Sequence, residues 1–475
     1  MGQLLAFREP MAAAPRAPIL QEGRNCCRVA RASRAAVLID GAAYFQRLDQ
    51  VLRRAQKSVL IVGWDFDASI KLRPDLPNSP ALGDLLRRLA EQRPALEVRV
   101  LVWSVAFLHA PSAPLPLIFG AAWQRHPRID VRLDRTHPLY AAHHQKIVCL
   151  DDSIAFAGGI DLTIRRWDTS QHLPEHPLRV TAAGKAYPPV HDVQLMVEGD
   201  AARMVADTAR ERWQRATGEV LAPVETPPSF WPQDLRPDFT DVPVAASRTM
   251  PAWRAHPACT EGAALVLDAL ASARRTIYIE AQYFTSPRIG ELLERRLQEP
   301  QGPEVVVVIR RRFNGALEGF VMGGNQDRLV QRLRAADRFG RFGVFCPVVQ
   351  GGPVAVHSKV VIVDDDLLRI GSSNLNNRSI GLDSEFDLTV EAGDEKTRRI
   401  IAGLRDTLLA EHIGVAPQVL RDAVAADDSL LRAIARLHHN PRGLEPVPPL
   451  TSPRGGQVFG TWLLDRSRPF PGLWP

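Results

Sequence analysis

Residues 143–161, HHQKIVCLDDSIAFAGGID, and residues 356–374, VHSKVVIVDDDLLRIGSSN, are two copies of one pattern. Each carries H-x-K-x4-D: His144, Lys146 and Asp151 in the first, His357, Lys359 and Asp364 in the second. Gly158 and Gly371 stand fourteen residues after the two histidines, and Asp161 and Asn374 seventeen after. The likeness extends outward: RAQKSVLIVGWDF (54–66) matches SARRTIYIEAQYF (272–284), LEVRVLVW (96–103) matches PEVVVVIR (303–310), and DVQLMVEG (192–199) matches EFDLTVEA (385–392). A long-period repeat makes each copy one structural unit. At 475 residues the chain also exceeds the size at which a single core keeps growing.

Each half reads as strand, helix, strand, a longer insertion, the H-x-K strand, its hairpin partner and a closing strand. Apolar runs such as VLIVG (59–63) and VVVVI (305–309) alternate with amphipathic helical patterns such as LGDLLRRLAEQR (82–93). Sheets covered by helices on both faces give that reading. The fold class is therefore α/β, with two similar α-β-α lobes and one site where they meet. The expected boundaries are an N-terminal extension at 1–35, a first repeat at 36–220, a Pro-rich linker at 221–251, a second repeat at 252–440 and a Pro- and Gly-rich tail at 441–475. The tail aromatics Phe459, Trp462, Phe470 and Trp474 suit a strap along the body.

Residues i and i+2 of a strand share a face, so His144 projects with Lys146 and His357 with Lys359. Only six of the 59 basic residues are lysines, which makes a lysine in both copies informative. Two histidines and two lysines around one point suit a phosphodiester. The lysines hold non-bridging oxygens, one histidine attacks phosphorus and the other protonates the leaving alkoxide. An attacking histidine needs its second nitrogen oriented by an acceptor. Asp192 and Glu385, equivalent in the internal alignment, are expected each to lie behind the histidine of its own repeat. Ser372, Asn374, Asp161, Gly158 and Gly159 are candidates for substrate contact, whereas Asp151 and Asp364 fall at the hairpin turn and are expected to be structural. His143 aligns with Val356 and has no counterpart.

The net charge of +6 favours anionic partners. Five scattered cysteines without a CxxC pair argue against a disulfide framework and a cysteine zinc site, and suit a reducing compartment. No basic n-region precedes an apolar stretch at the N-terminus, and no run approaches the length needed to cross a bilayer. The expectation is a cytoplasmic, peripherally membrane-associated monomer.

The duplicated H-x-K-x4-D with its following G-[GS]-x-[DN] resembles the signature of the phospholipase D superfamily. GGIDLTIRRWDTSQH (158–172), HDVQLMVEG (191–199), IEAQYF (279–284) and GSSNLNNRSIGLDSEFDL (371–388) resemble further blocks of these enzymes, over about residues 36–395. Departures are Arg165 where a glycine is common, Ala281 for an asparagine, and Pro189-Val190 where an aromatic often stands. The resemblance implies one site at the lobe interface, a covalent phosphohistidine and no metal or other cofactor. It also implies His144 as nucleophile and His357 as general acid/base, an order that the symmetry of the sequence does not fix. Lipid-binding modules that precede the core in larger relatives are absent from the sequence, which leaves membrane contact to the core's own loops. The insertions at 104–123 and 313–329 are expected to line the substrate entrance.

The leading reading is a phospholipase D acting on glycerophospholipid headgroups at a membrane surface, with water or an alcohol as acceptor. A cardiolipin-synthase-like phosphatidyltransferase is one alternative. A nuclease of the same superfamily is another, disfavoured because no dense basic tract with stacking aromatics is evident. A catalytically dead scaffold is a third, disfavoured because both half-sites keep every expected group.

Overall fold

The computed structural model describes residues 17–105, 120–138, 140–224, 229–311, 319–438, 441–448 and 465–468. The first half runs through β1 (Arg28–Ile39), α1 (Asp40–Leu52), β2 (Ser58–Gly63), α2 (Leu82–Gln92), β3 (Glu97–Trp103) and β4 (Ile129–Asp134). It continues through β5 (Ile147–Leu150), β6 (Ile154–Gly158), β7 (Val190–His191), β8 (Val193–Gly199) and α3 (Asp200–Thr217). The second half repeats the plan. It has β9 (Phe239–Met250), β10 (Cys259–Thr260), α4 (Glu261–Ser272), β11 (Thr276–Ala281), α5 (Pro287–Gln298), β12 (Glu304–Ile309), α6 (Gly324–Ala336), β13 (Phe342–Val349), β14 (Gly352–Pro353) and β15 (Ala355–Val356). Then follow β16 (Lys359–Val363), β17 (Leu367–Gly371), α7 (Asn377–Gly381), β18 (Glu385–Glu391), α8 (Glu395–Ile413), α9 (Pro417–Asp427), α10 (Leu430–Leu437) and β19 (Arg442–Pro446).

Strand pairing traces one path, β4-β3-β2-β5-β6-β8-β1 in the first half and β9-β18-β17-β16-β11-β12-β13-β19 in the second. The halves join where β1 and β9 pair antiparallel, from Arg28↔Ala246 to Ala35↔Phe239. Both faces of the sheet are apolar, as the uninterrupted Val/Ile/Leu runs require. Val59, Ile61, Val98 and Val100 pack under α1 and α2. Ile277, Ile279, Val305 and Val307 pack under α4, α5 and α6. The opposite faces, Leu60 and Val62 with Val306 and Val308, share one central core with α3 and α8. Each such aliphatic contributes ~1.5–3 kcal/mol by leaving water.

Two boundaries differ from the sequence reading. The extension and the Pro-rich linker each supply a twelve-residue strand, β1 and β9, to the middle of the sheet. In β1, Ala32 and Ala35 are buried while Arg28, Arg31 and Arg34 reach out to Asp207, Asp241 and Glu198, so the alternation is small against charged rather than apolar against polar. In β9, Pro243 sits opposite Arg31 of β1, but the pairing with β18 has ended at Thr389↔Ala245, so the missing N–H costs no ladder bond on that side. The start of the tail is likewise not loose: β19 adds to β13, and Asp465 accepts from the backbone of Asn377 and from the hydroxyl of Thr285. The four tail aromatics, and residues 106–119 and 312–318 of the two insertions, lie outside the described residues. Of the insertion residues that are described, Trp123, Val321 and Met322 are buried.

Candidate active site

Lys146 and Lys359 stand at the entrances of β5 and β16, both side chains buried. The strand entrances carrying the histidines are fixed by backbone bonds to the other half. His144 N donates to Ser384 O at 2.9 Å, just before β18. His357 N donates to His191 O at 2.8 Å, and β15 pairs in parallel with β7. Each histidine is therefore stitched to the start of the closing strand of the opposite repeat.

That register decides which carboxylate lies behind which ring. Glu385 Oε2 is 2.9 Å from His144 Nδ1, and Asp192 Oδ2 is 2.6 Å from His357 Nδ1. The expected pairing within each repeat is thus corrected: the two carboxylates are exchanged between halves. Ser384 and His191 are hydrogen-bonded across the interface, so the residue after each is carried to the opposite histidine.

The surroundings of the two pairs differ. Glu385 is fully buried and accepts from Ser372 Oγ and Ser379 Oγ, both at 2.6 Å. Burial pushes its carboxyl up to about 8, against the opposing pull of the two hydroxyls and Lys146. Asp192 accepts from the backbone N–H of Val193, and burial raises it too, with Lys359 opposing. Both imidazoles are held well below their ordinary value. For His144 the causes are burial, then the charges of Lys146 and Lys359; for His357 they are burial, then Lys359, Arg166, Lys146 and His144. The charges of both lysines therefore act on both rings, as a shared site requires. His144 keeps 16% of its side chain exposed, which leaves it reachable.

Lys146 Nζ lies 3.0 Å from Asp161 Oδ2 and donates to His144 O at 3.0 Å. Lys359 Nζ donates to Gln282 Oε1 at 3.0 Å and to His357 O. Burial and neighbouring cations push Lys359 down to about 7. Trp64 meets His144 edge-on, with ring centroids 6.3 Å apart, and stacks on Trp103.

Several candidates occupy other positions than substrate contact. Asp161 holds Lys146 and accepts from Trp64 N. Ser372 holds Glu385. A side chain on Gly159 would place its Cβ 2.0 Å from Asp192 Oδ1, and one on Gly158 would come 2.5 Å from Gln194 Oε1, so both are small to admit the closing strand. Asn374 donates its backbone N–H to Ser379 Oγ, and its buried Oδ1 has no hydrogen-bond partner among the described residues. Asp151 accepts from the backbone N–H groups of Gln56, Lys57 and Ser58, and Asp364 from those of Arg274, Arg275 and Thr276, all within 2.9 Å. His143 is buried against Asp134 and Arg212, away from the site's chemistry. The sequence reading did not single out Arg166, Gln282 or Ser379. Gln282 and Ser379 lie inside the blocks that carried the family resemblance, and Arg166 beside the departure at Arg165.

A family model described as cardiolipin synthase, PLD-like domain, matches residues 266–403. Phospholipase D A of Dictyostelium discoideum is 24% identical over 486 residues, covering 80% of this chain and 36% of that protein. Cardiolipin synthase A of Pseudomonas putida is 27% identical over 362 residues, covering 75% of this chain and 65% of that one. The chain spans less than half the length of the phospholipase D relatives it matches. The crystal structure of phosphatidylserine synthase from Haemophilus influenzae Rd KW20 shares the fold, with a TM-score of 0.55 at 13% identity over 86% of this chain and 95% of that one.

Proposed function

We propose that this chain acts as a member of the phospholipase D superfamily and cleaves a glycerophospholipid phosphodiester through a covalent phosphohistidine. The exchanged histidine–carboxylate pairs carry the reading. With Glu385 ionised, it accepts the Nδ1 proton of His144 and leaves Nε2 as a free lone pair in line for phosphorus. Nε2 forms a bond to phosphorus, the bond to the headgroup oxygen breaks, and His357 gives that oxygen its Nε2 proton while the Asp192 carboxyl, raised by burial, supplies a proton to His357 Nδ1. In the second step His357 takes a proton from water or an alcohol, whose oxygen attacks phosphorus and expels His144. Lys146 and Lys359, with Arg166 nearby, offset the charge on the non-bridging oxygens; loss of one such donor costs ~10²–10³ in kcat.

The test is incubation of the purified chain with phosphatidylcholine vesicles, with and without a primary alcohol, followed by product resolution. Phosphatidic acid and phosphatidyl-alcohol are expected, and His144→Ala or His357→Ala abolishes both. Cleavage of an oligonucleotide without either lipid product overturns the proposal. The cardiolipin synthase relatives favour one second reading, transfer to a phosphatidylglycerol hydroxyl. Vesicles of phosphatidylglycerol alone then yield cardiolipin and free glycerol.

A further inference from the structure

Behind the proposed reaction centre, and unused by it, lies a second cluster that joins the lobes. Asp40 begins α1, His172 follows β6, His191 ends β7, and Glu411 comes from α8 of the other half. Glu411 Oε1 is 3.1 Å from His172 Nε2 and 3.0 Å from His191 Nδ1. Asp40 Oδ1 is 3.1 Å from His191 Nδ1, and Asp40 Oδ2 is 3.5 Å from His172 Nε2. We propose that Asp40, His172, His191 and Glu411 bind one divalent transition-metal ion, zinc by the chemistry of the donors, as a clamp between the two lobes.

Four observations converge. Donor atoms of a tetrahedral zinc site, with bonds of about 2.0–2.2 Å, stand roughly 3.3–3.5 Å apart; here one donor atom from each of the four groups lies within 4.8 Å of every other, with the histidine–carboxylate contacts at 3.0–3.5 Å. The far nitrogen of each histidine meets a carboxylate outside the four: His172 Nδ1 is 3.1 Å from Asp168 Oδ2, and His191 Nε2 is 3.0 Å from Glu280 Oε2. Such outer carboxylates orient the imidazoles of metal sites and raise their basicity. Asp40 is 1% exposed, yet its Oδ2 has no hydrogen-bond partner among the described residues. Finally, the four carboxylates of Asp40, Asp168, Glu280 and Glu411 face two guanidinium groups, Arg179 and Arg442, a deficit of two charges.

His412 and Glu280 do not form a second site around His191. Glu280 Oε1 already accepts from Tyr278 at 2.5 Å and lies 3.0 Å from His412 Nε2. The expectation of a metal-free chain rested on cysteine spacing, which does not concern this cluster, and on the family resemblance, which concerned the reaction centre. The proposed ion takes no part in the reaction proposed above. It lies one residue from the machinery: Asp40 N donates to Asp192 O at 2.8 Å, and His191 precedes Asp192.

Two imidazolium ions would balance the same charge, so the experiment must separate metal from protons. The whole chain is purified without an affinity tag and its metal content measured by mass spectrometry, as isolated and after dialysis against excess Zn2+. It is then stripped with dipicolinate and titrated with Co2+. The expected result is about one zinc per chain and saturable visible bands of tetrahedral Co2+ at about one equivalent. His172→Ala abolishes both, while His412→Ala, outside the donor set, keeps them. Under about a tenth of an equivalent of any transition metal after the Zn2+ dialysis, with native circular dichroism, overturns the proposal. So does a Co2+ spectrum that survives in a folded His172→Ala protein. Lipid turnover is not the readout, so failure here leaves the proposed reaction standing.

Discussion

Replacing Glu385 by glutamine and Asp192 by asparagine, one at a time, tests the exchanged pairs. The Glu385→Gln amide can still satisfy Ser372 or Ser379, but an NH2 turned to His144 forces the ring to keep its proton on Nε2, where it cannot attack. Losing one charge-assisted hydrogen bond costs ~1.5–3 kcal/mol. At 1.36 kcal/mol per factor of ten that is roughly 10- to 150-fold in rate. A trapped wrong tautomer extends the loss toward about 10⁴-fold, so the expected fall in kcat is ~10²–10⁴. The assay compares a natural lipid with phosphatidyl-p-nitrophenol, whose leaving group needs no proton, and records the first-turnover burst of nitrophenolate. The histidine whose alanine variant is rescued by the activated substrate is the general acid. Asp192→Asn should behave as the His357 variant does, and Glu385→Gln as the His144 variant does. The opposite matching, or turnover of both amide variants within about threefold of wild type, where a factor of 10²–10⁴ is expected, would refute the exchange.

The pH dependence follows from two opposed shifts. Below about 8 the Glu385 carboxyl holds a proton and donates it to Nδ1, which leaves a proton on Nε2, so activity rises as pH rises toward that value. Above about 7 Lys359 loses its charge, so activity falls as pH climbs further. A kcat/KM profile with its maximum between about 7 and 8 is expected, and a flat profile across that range contradicts it. Asp364→Ala frees three backbone N–H groups at the start of β11, at ~0.5–1.5 kcal/mol each. Urea unfolding should show a loss of ~1.5–4.5 kcal/mol while kcat stays within a few-fold, because the aspartate touches neither histidine. Gly159→Ala drives a methyl into Asp192 Oδ1 and should lower kcat ~10²-fold or more by displacing the partner of His357. Circular dichroism and unchanged vesicle binding would separate that displacement from unfolding.

The duplicated H-x-K-x4-D was enough to read the lobes, the hairpins and the lysines, because strand periodicity is local. The turn aspartates were legible for the same reason: Asp151 and Asp364 sit at equal distances from their histidines and bond equivalent backbone at β2 and β11. What was not legible depends on how the halves meet. Internal alignment pairs Asp192 with Glu385 correctly but says nothing about which histidine each will face. Only the bonds His144 N to Ser384 O and His357 N to His191 O decide that. β1 and β9 were missed because arginines and a proline obscure their pattern. The Asp40–His172–His191–Glu411 cluster draws residues from positions 40 to 411; His172 and His191 stand in blocks of the family resemblance, but nothing in the spacing of the four marks them as neighbours.

The seam between β1 and β9 has a dynamic consequence. Seven consecutive or near-consecutive residue pairs, flanked by β8 and β18, make the centre of the molecule one hydrogen-bonded fabric. The lobes cannot hinge apart without tearing that ladder, so the two histidines are aligned once, during folding, and not again at each turnover. The entropic cost of bringing nucleophile, acid and cations together is thereby moved out of the catalytic cycle. Under the proposed reaction, substrate is received by a frame that already stands, and no closure of the lobes is needed at each turnover.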